Sequence, residues 1–147
     1  MPHEEALQKV SLFSQLPRKD LARMGRAVVE RKYKKGEAIV KQGESAVAFF
    51  IVTKGRAEVS QSSANKKANV LGEITGPSGV FGEMALLNGL PRVATVRALD
   101  DTECLVLSRW DFLAELQTNP QIAVAMLPIL STRLREVEEK LAEVLSH

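Results

Sequence analysis

The chain has 147 residues, 45% hydrophobic and 26% charged, with a formal net charge of +2 at pH 7. Such a length suits one domain with its own core, and the composition is globular rather than disordered. The near balance of charge builds no strong field for nucleic acid or an anionic membrane.

The single cysteine, Cys104, excludes an intramolecular disulfide, and His3 and His147 are the only histidines, so neither a metal nor a haem site is expected. No apolar run approaches a membrane span and "MPHEEALQK" lacks a signal-peptide core, so a soluble cytoplasmic protein is expected.

In chain order, residues 1–32 read as N-terminal helices. In "EEALQKVSLFSQL" and "RKDLARMGRAVVE", divided by Pro17, Leu21, Met24 and Val28 repeat at steps of three and four and make one apolar face. Phe13 and Leu16 are expected in the core. Residues 33–107 change character: short segments rich in Val, Ile, Phe and Thr alternate with glycines, as in a compact all-β barrel or sandwich. "SQSSANKK" reads as a hairpin tip with two solvated lysines.

Residues 108–147 return to helix. Ser108 caps "RWDFLAEL" with Asp111 at the third position, close to a capping box. Asn119-Pro120 reads as the next cap, followed by a proline at the first helical position. Pro128 is expected to kink or divide the helix that follows. The fold class expected is α+β: a jelly-roll-like β-barrel of about eight strands, flanked by helices at both ends and forming one domain.

The chemistry concentrates in residues 81–96, "FGEMALLNGLPRVATV". Gly82 permits a backbone position or close approach that a side chain would block. "EMALL" is a short helical run, and Asn88-Gly89 tolerates the left-handed conformation that ends a helix. Free amides at its start attract anions. Pro91 extends the chain before it. Continued alternation then places Arg92 on the face of Ala94, Val96 and Ala98, toward the interior. A charge aimed inward needs an anion, which either Glu83 or a ligand supplies. Residue types leave two readings open: an ion pair that pins a loop, or a pocket for a phosphorylated sugar.

The run "FGEMALLNGLPRVATVRA" resembles the phosphate-binding cassette of the cyclic nucleotide-binding domain family, which includes catabolite activators, protein kinase regulatory subunits and cyclic nucleotide-gated channels. "KKGEAIVKQGE", "FFIVTKGRAEV" and "GPSGVFGE" resemble the family's glycine-punctuated strands, so the likeness covers nearly the whole chain. The resemblance implies that Arg92 holds a cyclic phosphate and Glu83 accepts a ribose 2′-hydroxyl. Gly82, Met84, Ala85, Val93 and Ala94 would surround the phosphate, with Leu71 and Ile74 as apolar walls or plain core. Val93 replaces the threonine that follows the arginine in cGMP-preferring kinases, which favours cAMP as the ligand. Val137 and Glu138 stand where catabolite activators carry hydroxyl residues toward adenine.

Leu130, Leu134, Val137, Leu141 and Val144 form a seam flanked by charges, able to pack on the barrel or to meet a second copy. The resemblance favours a homodimer through this helix. A catabolite-activator-type regulator would continue past His147 into a helix-turn-helix, so the chain alone is expected not to bind DNA specifically. The reading is a cyclic nucleotide sensor whose C-terminal helices rearrange on binding. The alternative is the effector domain of such a regulator, lacking its DNA-binding half and sensing another small ligand. No nucleophile–base pair or metal cluster supports an enzyme.

Overall fold

The segment "AFFIV" is apolar at every position, a pattern expected of a strand buried on both faces. In the computed structural model, which describes residues 2–63 and 67–146, this segment opens the central strand β3 (Ala48–Lys54). Phe49 and Ile51 face one core while Phe50 and Val52 face another. Strand β8 (Thr102–Ser108) repeats the division, with Leu105 and Leu107 on one side and Cys104 on the other.

The strands form two four-stranded antiparallel sheets rather than one closed barrel. The first is ordered β1 (Val29–Tyr33), β8, β3, β6 (Gly79–Phe81). The second is ordered β2 (Ala38–Val40), β7 (Thr95–Ala98), β4 (Arg56–Ser62), β5 (Ala68–Thr75). The interior core between them joins Val40, Phe50, Val52, Ala57, Val96 and Cys104. Outside the first sheet a larger core includes Leu7, Phe13, Leu16, Leu21, Met24, Phe112, Ile122 and Met126. These belong to α1 (Pro2–Gln8), a 3-10 turn (Ser11–Phe13) with the residues around it, α2 (Arg18–Ala27), α4 (Arg109–Thr118) and α5 (Gln121–Leu145). The sandwich therefore has one helical layer on one outer face.

Several boundaries differ from the sequence reading. The β region begins at Val29, not residue 33. Val28 is already extended as the residue closing α2, and all of β1 pairs with β8 from Val29↔Val106 to Tyr33↔Thr102. Pairing across the sheet overrides the helical periodicity that continued through "VVE".

Pro128 does not divide the last helix, which runs unbroken through it. Pro128 lacks the N–H that would bond the Val124 carbonyl, but both residues are exposed, so water can satisfy the freed carbonyl. Ser108 caps α4 as expected, accepting from the Asp111 amide at 3.1 Å. Asn119 does not use its side chain as a cap; its Nδ2 turns back and donates to Glu115 Oε2 at 3.2 Å. The hairpin of β4 and β5 closes with Ser62 opposite Ala68, and Lys67 is exposed. Residues 64–66 of its expected tip, including Lys66, lie outside the described residues.

Candidate ligand-binding site

Helix α3 (Glu83–Asn88) is held from below by Leu86, which is fully buried in the helix-side core. Truncating such a side chain to alanine costs about 2–5 kcal/mol, so the helix is firmly seated. Both its ends are left-handed glycines: Gly82 at φ +83° opens it, and Gly89 at φ +64° closes it. The Ala85 amide closes the first turn on the Gly82 carbonyl at 3.0 Å. The Glu83 and Met84 amides, the first two of the helix, have no partner within it.

Gly82 is required for space as well as conformation. A Cβ there would stand 2.5 Å from Arg92 Nη1 and 3.0 Å from the Ala48 carbonyl oxygen. The arginine thus lies directly against the glycine backbone.

Arg92 is placed by the turn between β2 and β3. Its amide donates to the Glu44 carbonyl at 2.7 Å, and its carbonyl accepts from the Gly43 amide at 2.8 Å. Its guanidinium donates through Nη2 to the Ala48 carbonyl at 2.7 Å and sits 5.6 Å over the Phe50 ring. Phe50 in turn stacks on Phe81 at 4.7 Å. The alternation expected from Arg92 through Ala98 is present: Val96 and Ala98 are buried, and Arg92 and Ala94 are half-buried.

Burial lowers the Arg92 pKa from its ordinary value, with the nearby Glu44 charge acting the other way. A guanidinium nevertheless stays charged in a protein. Among the described residues, Arg92 has no carboxylate at ion-pair distance. Its protein acceptor is a neutral carbonyl, and a half-buried cation in that state has capacity for an anion.

The Glu83–Arg92 ion pair, one of the two readings that residue types leave open, does not form. Glu83 is taken instead by Arg133 of α5, whose Nη2 donates to Glu83 Oε2 at 2.9 Å. The loop-pinning alternative is therefore replaced by a bridge between cassette and C-terminal helix. In the sequence Arg133 stands only among the charges that flank the apolar seam of residues 130–144. Its partner lies 50 positions away, so no local pattern points to it.

These groups line an open cleft of about 430 Å³, within the usual range for small-molecule sites. Gly82, Glu83, Met84, Ala85, Arg92, Val93 and Ala94 all contribute to its wall, together with Arg133. Met84, Leu90 and Val93 give it an exposed apolar rim.

Leu71 and Ile74, expected as apolar walls, are not among the lining residues. Leu71 is the extra residue of a β-bulge: Val59 pairs with Gly72 and Ser60 with Val70, leaving Leu71 unpaired and 59% exposed. Ile74 pairs opposite Ala57 and packs into the interior core. The arrangement can hold an anion at Arg92 and a hydroxyl at Glu83, with apolar surface beside them.

The cyclic nucleotide-binding domain family model matches residues 30–119. The cAMP-dependent protein kinase regulatory subunit of Dictyostelium discoideum is 34% identical, over 75% of this chain and 34% of its own length. The cyclic AMP receptor protein of Thermus thermophilus is also 34% identical, over 76% of this chain and 51% of that one. The chain thus spans between a third and about half of these relatives. Among solved structures, the N-terminal domain of a transcriptional regulator from Streptomyces coelicolor A3(2) superposes with a TM-score of 0.83 at 27% identity, covering 92% of this chain and 94% of that one.

Proposed function

The chain belongs to the cyclic nucleotide-binding domain family, and we propose on that premise that it is a regulatory sensor module for cAMP. The observation that carries the reading is Arg92: a half-buried guanidinium on the cleft wall, bonded to a neutral carbonyl and without a carboxylate partner among the described residues. The cyclic phosphate would take this cation and the α3 amides, and the ribose 2′-hydroxyl would be accepted by Glu83. The two curated relatives named above, both described by cAMP, support that nucleotide. Val93 adds support for cAMP over cGMP, since its side chain offers no hydrogen bond to guanine.

The output is a shift in the C-terminal helices. Arg133 joins α5 to the acid that meets the ribose, so ligand binding and helix position share one contact. Ligand can shift such an equilibrium only by its differential affinity for the two arrangements. The module is a homodimer through α5, supported by Leu134, Val137, Leu141 and Val144, which are 56–70% exposed.

The module binds without catalysing, and its nucleotide is released unchanged. It does not itself bind DNA specifically. Likeness to the N-terminal domain of a transcriptional regulator supports a second reading, the effector domain of a larger regulator sensing another small ligand.

Calorimetry on nucleotide-free protein with cAMP and cGMP tests the proposal, followed by chromatography of the recovered nucleotide. Tighter binding of cAMP, recovered intact, is expected. No binding of either nucleotide at millimolar concentration would overturn the cAMP reading and favour the other effector.

A further inference from the structure

Arg133 makes a second contact outside the cleft. The nitrogen that donates to Glu83 Oε2 at 2.9 Å also donates to Ser11 Oγ at 2.7 Å. A guanidinium Nη2 carries two hydrogens in fixed, divergent directions. Two acceptors on one Nη2 therefore define the plane and rotation of the whole group, and one alone does not. Ser11 is well placed to be the fixed end. It opens the 3-10 turn whose Leu12 and Phe13 are buried in the helix-side core, and its carbonyl accepts from the Ser14 amide at 3.2 Å. Ser11 is itself exposed, so what fixes it is the backbone of this turn, whereas the long Arg133 side chain, 34% exposed, depends on its bonds for its place.

From this geometry we infer that Ser11 is a positioning residue for the ligand's hydroxyl. It holds Arg133, Arg133 holds one oxygen of Glu83, and the other oxygen of that carboxylate is thereby aimed into the cleft. Ser11 is not on the cleft wall, so its path to the site runs through Arg133. By thermodynamic reciprocity, occupancy of Glu83 also steadies the N-terminal turn. The cleft is in this way wired to the N-terminal segment as well as to α5. The inference rests on the cyclic nucleotide reading above and names a residue that the cassette does not contain.

The test compares cAMP with 2′-deoxy-cAMP by calorimetry on the native protein, Ser11→Ala and Ser11→Thr. In Ser11→Ala the affinity for cAMP falls about fivefold, the size of one lost hydrogen bond. Affinity for the deoxy analogue stays the same, so the penalty for removing the hydroxyl shrinks by that factor. Ser11→Thr keeps a hydroxyl and restores the native penalty. Hydrogen exchange supplies a second readout: cAMP slows the Phe13 and Ser14 amides in the native protein and not in Ser11→Ala.

Equal losses for both nucleotides would mark Ser11 as merely structural, and an unchanged penalty with unchanged exchange would also overturn the inference. Should Ser11→Ala fail to fold, Ser11→Val against Ser11→Thr makes the same comparison at constant shape. A native protein that binds neither nucleotide overturns the parent reading along with this one. A native protein with a normal deoxy penalty that is indifferent to Ser11 overturns this inference alone.

Discussion

Arg133 and Glu83 stand 50 positions apart in the chain and 2.9 Å apart in space. Their pairing leaves Arg92 to the Ala48 carbonyl, so the two charges of the cassette are not spent on each other. An arginine and a glutamate that neutralised one another would have to be separated before either could receive a ligand. Here the cation proposed to take the anion and the carboxylate proposed to take the hydroxyl are already apart, each held by a different element.

Arg92→Ala is expected to weaken cAMP binding by at least about thirtyfold. Truncating one partner of a buried charge pair costs roughly 2–5 kcal/mol, and each ~1.4 kcal/mol is a factor of ten. Calorimetry on the variant, with circular dichroism to confirm folding, checks it.

Glu83→Gln should cost less than Arg92→Ala, because an amide oxygen still accepts a ribose hydroxyl. The deoxy analogue should bind the native protein more weakly than cAMP does, and lose little further against Glu83→Ala. Equal penalties in both proteins would remove Glu83 from the ribose.

Gly82→Ala combines two insults: a side chain at φ +83° and a Cβ at 2.5 Å from Arg92 Nη1. The backbone strain is worth about 1–3 kcal/mol. Displacement of the guanidinium should lower cAMP affinity by about tenfold, or about 1.4 kcal/mol. Gly36→Ala is the control, since Gly36 has φ +89° with nothing within 4 Å of its added Cβ. It should lose similar thermal stability and bind normally.

Leu134→Glu combined with Leu141→Glu places like charges along the α5 seam. Light scattering at micromolar concentration should show a native dimer and a monomeric variant that still binds cAMP. A native protein that is monomeric with and without cAMP would sink the dimer and leave the cleft untouched.

Cys104 lies in the interior core, and burial pushes its thiol pKa up to about 12. An unfolded thiol ionises near pH 8.5, roughly. Between those values the unfolded chain has released a proton that the folded chain keeps, so stability falls as pH rises through that window. Chemical denaturation from pH 8 to 11 should show this decline, reduced in Cys104→Ala. The native thiol should resist alkylation at pH 8 and react on unfolding.

Much of the architecture was legible in short stretches of sequence. Ser108 and Asp111 mark the start of α4, Gly82 and Gly89 bracket α3, and the steps of Leu21 and Met24 mark a buried face. Each rests on backbone preference or periodicity, properties shared by residues a few positions apart. The same local logic placed Arg92 inward through the alternation that ends at Ala98.

Tertiary structure decided what local logic could not reach. The bulge at Leu71 depends on how β5 registers against β4, and it leaves Leu71 unpaired and exposed. Val29 becomes strand because β8 is there to pair with it. Glu83 meets Arg133 because Leu86 seats α3, and Ile122 and Met126 seat α5, against one core. The residue types of a binding site were thus written in the cassette. Which charge remained open for a ligand was settled by packing between segments distant in the chain, where side-chain reach and sheet register choose the partners.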